Sequence, residues 1–209
     1  MNITTLETLR SLYAAAGMRS VKKVIPKLDA HCIRFIALSP FVTIASGGTS
    51  AGVNAEANQA LDASPRGGEP GFVKVLDAGT LLIPDSPGNN RLDTLENIVQ
   101  NGQVGLLFLV PGVDETLRVN GKAVLTTDEA TLALCADAKR VPKLVIRVSV
   151  AAAYLHCAKA LMRSNLWDAT RHIDRAALPS MGEMLKDQIG SSIPAETQAQ
   201  MLVRYAVDL

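Results

Sequence analysis

Aromatic side chains are scarce: four Phe, three Tyr and one Trp make up 4% of the 209 residues. The core must therefore be aliphatic, and the exposed rings on which single-stranded nucleic acid stacks are too few. An excess of charge of one sign is missing as well. Twenty-one Lys and Arg face 20 Asp and Glu, a formal net charge of +1, so no global field draws the chain to DNA or an anionic membrane. The densest basic run, Arg19 to Lys27, is interrupted by apolar positions and reads as a solvated helix face. Cysteine is limited to Cys32, Cys135 and Cys157. An odd number, widely spaced, suits a reducing cytoplasm better than a disulfide framework. Neither CxxC nor HExxH occurs, and the histidines are His31, His156 and His172, so no metal site is expected. The longest apolar run, "VGLLFLV", has the length of a strand and cannot span a bilayer. "MNITTLETLRSLYAAAG" lacks the basic n-region and apolar run of a signal peptide. GxGxxG and GxxxxGKS/T are absent, which leaves Rossmann and P-loop readings without their signature. The expectation is a cytoplasmic protein with no nucleic-acid, membrane or metal partner.

The chain does hold 48% apolar and 20% charged residues, an ordinary globular composition with enough length for a sizeable core. Residues 4–16 read as a helix with Leu6, Leu9, Leu12 and Tyr13 on one face, capped by Thr5 and ended by Gly17. A second helical segment carries Ile25 and Leu28. Asp29 then caps a turn bearing Ile33, Phe35 and Ile36, which Pro40 stops. "FVTIAS" is a strand. The stretch from 47 to 71, rich in Gly, Ser, Asn and Ala, reads as a long loop or mobile hairpin. "FVKVLD" and "TLLIPD" form a hairpin about Asp77-Ala78-Gly79. "RLDTLENIVQN" is a helix with Leu92, Leu95, Ile98 and Val99 on one face, terminated at Asn101-Gly102. "VGLLFLV" is a buried strand, "ETLRVNGKAVLT" alternates through Asn120-Gly121, "DEATLALCAD" is an Asp-capped helix, and "KLVIRVSVAAAYLHC" is a strand. Hairpins dominate over β-α-β alternation, which favours a small antiparallel barrel with helices at its rim. The division expected is an N-terminal helical extension, 1–28, a barrel domain, 29–157, and a C-terminal helical segment, 158–209.

One loop is richer in donors than a turn needs. In "PGNNRLDTL", Pro87-Gly88 makes the turn, and Asn89 or Asn90 can cap the helix beginning near Leu92. A helix N-terminus suits an anion, and Arg91 in its first turn opposes the usual preference for acids there. Two amides and a guanidinium would suit a phosphate. Equally, the asparagines cap the helix and Arg91 pairs with Asp93 or Glu96; spacing alone allows both. A second basic residue, Arg66 in "SPRGGEPG", lies beside glycines that let a ligand approach the backbone.

The strings "SPRG…PGFVKVLDAGTLLIPDSPGNNRLDTLENIVQNGQVGLLFLVPGVDETLRVNGKA" resemble the pyridoxamine 5′-phosphate oxidase-like flavoproteins, and within them a bacterial subgroup of FMN-dependent proteins without an assigned substrate. The resemblance spans about Leu28 to Trp167. It implies an FMN-binding split β-barrel of mainly β with α (α+β) class, with peripheral helices and a helical tail, working as a homodimer with the flavin at the subunit interface. It further implies that Arg66 and Arg91, helped by Asn89 and Asn90, hold the phosphate. Ile83-Pro84-Asp85 would run beside the isoalloxazine, and Lys74 is a further flavin or phosphate contact. Thr116 and Arg118 of the second protomer would reach the ring. The expected activity is oxidoreduction of a small substrate, with no catalytic side chain identified. His156 is the histidine near a pocket element, and Lys159, Arg163 and Trp167 could close the pocket. The alternatives are a non-catalytic flavin-sequestering protein, a deazaflavin enzyme, or a haem protein using His172. Gly68 stands where the subgroup usually has Asp, and 47–62 is longer than usual.

Overall fold

The computed structural model describes residues 2–48 and 61–208. Three short helices come first: α1 (Leu6–Ser11), α2 (Met18–Lys22) and α3 (Ala30–Leu38). Thr5 and Asp29 cap α1 and α3 as expected, their side chains accepting from the Thr8 and Cys32 amides. The second segment differs from expectation. Its helix lies at 18–22, whereas Ile25 forms an antiparallel bridge with Ala153. β-Branched Ile is at ease in such extended backbone, and Pro26 behind it disfavours a helical conformation at 25.

Seven strands follow: β1 (Phe41–Gly47), β2 (Leu61–Gly67), β3 (Lys74–Asp77), β4 (Thr80–Pro84), β5 (Gln103–Leu109), β6 (Thr116–Thr126) and β7 (Val145–His156). They form one sheet in the order β2-β1-β5-β6-β7-β4-β3, every pairing antiparallel. Helix α4 (Asp93–Asn101) joins β4 to β5, and α5 (Glu129–Leu134), capped by Asp128, joins β6 to β7. This is the antiparallel α+β architecture that the hairpin-rich pattern implies, in the split-barrel form that the resemblance implies.

Strand β2 falls inside the stretch read as a long loop or mobile hairpin, and pairs antiparallel with β1. Residues 49–60 of that stretch lie outside the described residues. "LDASPRG" lacks large apolar side chains, yet it alternates exposed and half-buried positions along its length. As the outermost strand it tolerates Pro65, which has no N–H to donate.

The core gathers on the inner face of the sheet. Val42 and Ile44 of β1, Leu81 and Ile83 of β4, Leu106 and Phe108 of β5, Leu117 and Val119 of β6, and Ile146 and Val148 of β7 are fully or almost fully buried. Cys32 and Ile36 from α3, with Leu95 and Ile98 from α4, complete the same cluster. Burying each large aliphatic chain contributes about 1.5–3 kcal/mol, enough to explain how an aromatic-poor sequence holds a barrel. On the outer face, Leu82, Cys135 and Val145 form a smaller cluster beneath α5.

The Asn120-Gly121 pair makes no turn; β6 runs straight through it. At that point β7 carries an extra residue, since Asn120 pairs with Ala152 and Gly121 with Val150. A Cβ on Gly121 would stand 2.2 Å from the Ser149 carbonyl oxygen, so glycine is needed for close backbone approach at the bulge. Gly102 ends α4 in the left-handed conformation, φ 69°, as its place behind Asn101 suggests.

The chain divides into two compact units, Met1–Ser164 and Asn165–Leu209. The first ends with α6 (Lys159–Ser164). The second contains two 3₁₀ turns and the helices α7 (Met181–Ile189) and α8 (Gln198–Tyr205), each opened by a reciprocal capping box, Ser180 with Glu183 and Thr197 with Gln200. Among the described residues no helix is long and apolar enough to cross a membrane.

Candidate functional site at the barrel mouth

Register partners in a sheet share a face. Arg66 pairs with Val42, a core residue, so its side chain lies on the inner face near the end of β2. Asp62 and Ser64 precede it on that face, paired with Ser46 and Ile44. Asp62 accepts hydrogen bonds from Ser64 Oγ at 3.0 Å and from Thr94 Oγ1 of α4 at 2.5 Å. Behind them Asn97 of α4 donates to Ser46 Oγ at 3.0 Å. A polar row thus runs beneath α4 and ends at Arg66, whose Nε is buried with no hydrogen-bond partner.

Asp85 follows β4 and keeps the pairing with the β7 side, its amide donating to the Leu144 carbonyl at 3.1 Å. Two positions beyond Ile83, it lies on the inner face too. Burial pushes its carboxyl above the ordinary value, and the charges of Arg66 and then Lys143 oppose that rise. The coupling of Arg66 to Asp85 brings strands from opposite halves of the sheet order to one mouth. No ion pair closes between the two: each remains half-buried and available to a ligand.

The donor-rich loop leads into α4. Asn89 Oδ1 accepts from the Arg91 amide at 3.0 Å, a local Asx turn, and Asn90 adopts the left-handed conformation, φ 58°, which Asn tolerates better than most residues. Neither asparagine caps α4. Its N-cap position is Leu92, which makes no side-chain cap bond. The amides therefore shape the loop and leave the helix end open. Arg91 is exposed, and its Nε meets Asp93 Oδ2 at 2.6 Å. Asp62 also feels its charge, which ties this loop to the polar row of β2.

The remaining expected residues are not all gathered there. Ile83 is wholly buried in the core, so its side chain cannot face a ligand, whereas Pro84 and Asp85 remain half-buried. Lys74 pairs with Leu82, on the opposite face of the hairpin from Ile83. Its Nζ donates to the Gly71 carbonyl at 3.0 Å, and its charge partly offsets the burial that raises the Cys135 thiol. Thr116 and Arg118 alternate with the core residues Leu117 and Val119, so they project from the outer face. Within one chain they do not meet Arg66 and Asp85.

Outward from Arg118 lies a cluster that the sequence did not single out. Its Nη1 donates to Tyr154 Oη at 3.1 Å, and Lys23 Nζ stands 5.5 Å from the centre of the same ring. His156 packs beside Tyr154, ring centres 5.1 Å apart. Asp62, Thr94, Lys143, Lys23 and Tyr154 were therefore missed. The alternation D-x-S-x-R of β2 could have revealed Asp62; the others depend on long-range pairing. Lys159 and Arg163 are exposed on α6, with Arg163 Nε turned back to the Lys159 carbonyl. Trp167 and the exposed His172 belong to the second unit.

A family model described as pyridoxamine 5′-phosphate oxidase matches residues 28–157. No curated protein matches the chain. Among solved structures it is similar to HupZ of Group A Streptococcus, with 17% identity over 61% of this chain and 93% of that one and a TM-score of 0.48. It is similar to the FAD binding protein from Mycobacterium smegmatis, with 18% identity, 63% and 98% coverage and a TM-score of 0.41. An FMN-binding protein from Syntrophomonas wolfei aligns at 8% identity, 73% and 97% coverage and a TM-score of 0.44. With the matched segment containing all seven strands, this chain belongs to the pyridoxamine 5′-phosphate oxidase family.

Proposed function

We propose that the protein binds FMN as a homodimer and acts as an FMN-dependent oxidoreductase on a small substrate. The observation that carries this reading is the Arg66 guanidinium, whose Nε is buried and without an acceptor. Leaving such a donor unpaired costs about 1–3 kcal/mol, and a phosphate oxygen at the mouth would remove that cost. Arg91 can turn from its exposed partner Asp93 to the same anion, with the loop held in shape by Asn89 and Asn90. The backbone of Ile83-Pro84-Asp85 lines the approach, and Lys74 adds positive charge from the far face of the hairpin. FMN, when bound, supplies the redox chemistry, while the protein supplies binding, orientation and electrostatics.

The homodimer is supported by the other face of the sheet. Thr116 and Arg118 point away from their own mouth, and Leu107, Leu109 and Ala152 beside them are half-buried. A second copy seated there would cover apolar surface and bring its own Thr116 and Arg118 to the flavin ring. Three unbridged cysteines, two of them buried, suit the cytoplasm.

The test is an absorption spectrum of the purified protein with the released chromophore identified by mass. Bands near ~370 and ~450 nm, belonging to the cofactor's own chemistry, with FMN released, support the reading. A colourless protein that takes up no added FMN overturns it.

A further inference from the structure

Two cations converge on one aromatic ring on the outer face, and among the described residues no acid balances them. Lys23 is fixed there by its own Nζ, which donates to the Leu155 carbonyl at 2.7 Å. The adjacent bridge also helps, with Ile25 and Ala153 exchanging amide hydrogen bonds of 3.0 and 2.8 Å. That bridge extends the edge of β7 where β4, which pairs only with residues 145–149, has ended. Arg118 reaches the ring from β6, its Cζ 5.7 Å from the Tyr154 centroid. Neither cation has a carboxylate partner among the described residues. His156, paired in register with Thr116, completes the group with a buried, unpartnered Nε2.

We propose that Lys23, Arg118, Tyr154 and His156 form a binding site for a small organic anion bearing a carboxylate or phosphate, and that this anion is the substrate. The site rests on its own geometry, whereas calling its occupant the substrate rests on the flavin reading, which brings Arg118 to the ring. Like charges held near each other on a half-desolvated surface favour an anion between them. Tyr154 holds Arg118 by its hydroxyl and both cations by its ring face. Burial first, and then the same two charges, hold His156 below its ordinary imidazole value. An arriving anion would offset the two charges and move that value upward.

The experiment follows the His156 ring resonance by NMR in the full chain, among three histidines, assigned with His156→Gln. Benzoate and inorganic phosphate are titrated separately, and FMN content is read by absorbance on the same sample. Binding of either anion should move the His156 midpoint upward, and Lys23→Met should weaken that binding about tenfold, the worth of one charge-assisted hydrogen bond, with FMN content unchanged. A response to benzoate alone assigns a carboxylic acid, and to phosphate alone a phosphate ester. No response to either anion in a protein that holds FMN overturns the proposal and leaves the flavin reading intact. Anion binding in a protein that takes up no FMN keeps the site but overturns its occupant as the substrate. A shift produced by FMN alone gives the cluster to the cofactor and overturns the proposal.

Discussion

Replacing Arg66 with Met separates a ligand-gripping arginine from a structural one. In the free protein, Arg66 Nε is buried without an acceptor, and among the described residues the guanidinium has no ion pair. Removing it relieves an orphan worth about 1–3 kcal/mol, set against the loss of its favourable charge near Asp85. The free variant should therefore unfold within about 1 kcal/mol of the parent in urea. Binding should behave differently. A hydrogen bond to a charged group contributes about 1.5–3 kcal/mol, so the variant's affinity for FMN should fall about 10- to 150-fold. At FMN one hundred times the parent's Kd, the ligand stabilises the parent by about 2.7 kcal/mol. A hundredfold weaker variant at the same concentration gains about 0.4 kcal/mol. Thermal melts with and without FMN, paired with a flavin-fluorescence titration, read both quantities. Arg91→Ala is the contrast, because Arg91 is exposed and already paired with Asp93; its loss should weaken FMN about tenfold or less. If Arg66→Met unfolds several kcal/mol early yet keeps the parent's Kd, Arg66 is a structural residue and the phosphate argument fails.

Asp85→Asn should raise stability at pH 7 and leave it unchanged in acid. The folded carboxyl has a raised pKa, so its favourable contribution is complete below the ordinary carboxylate value and is lost as pH rises through the folded one. Urea unfolding at pH 3 and pH 7 checks this, and a variant less stable than the parent at pH 7 contradicts it. Gly121→Ala places a methyl 2.2 Å from the Ser149 carbonyl oxygen and should cost about 3 kcal/mol or more, read from the urea midpoint. Leu107→Glu, on the outer face of β5, should give a monomer by sedimentation and at least tenfold weaker FMN binding; a dimer with full affinity places the subunit interface elsewhere.

What could be read from the chain was local. Thr5, Asp29 and Asp128 cap the helices their spacing suggests, because an N-cap bond spans only three residues. The hairpin at Asp77–Gly79 and the stop at Gly102 were legible for the same reason. Strand β2 was hidden because its alternation is carried by Asp62, Ser64 and Arg66 instead of apolar side chains. Asp62 is held against α4 by the hydroxyl of Thr94, a contact between residues distant in sequence. β6 does run through Asn120-Gly121 as its alternation suggests, but the bulge that Gly121 accommodates lies on β7, a strand distant in sequence. The influence of Arg66 on Asp85 and the Tyr154 cluster depend on how distant strands are brought together, and periodicity does not encode that.

The two faces of β6 and β7 keep the Arg66 mouth and the Tyr154 cluster on opposite sides of the sheet in one chain. Leu117 and Val119 are consumed by the core, so alternation forces Thr116 and Arg118 outward, and the bulge opposite Gly121 forces Tyr154 and His156 outward with them. The mouth that holds Arg66 and Asp85 opens on the inner side. No rotamer change carries Arg118 through a packed sheet to its own mouth. A ligand gripped by Arg66 meets an Arg118 only if a second copy presents its outer face, so in the proposed dimer phosphate grip and anion recognition come from different subunits. Mixing Arg66→Met and Arg118→Gln chains therefore tests the arrangement. Heterodimers should recover one intact site where each parent variant has none, giving about a quarter of wild-type sites after random exchange of equal amounts, since half the dimers are mixed and each contributes one of two sites. Recovery of no site in exchanged mixtures would mean that both residues act within a single chain.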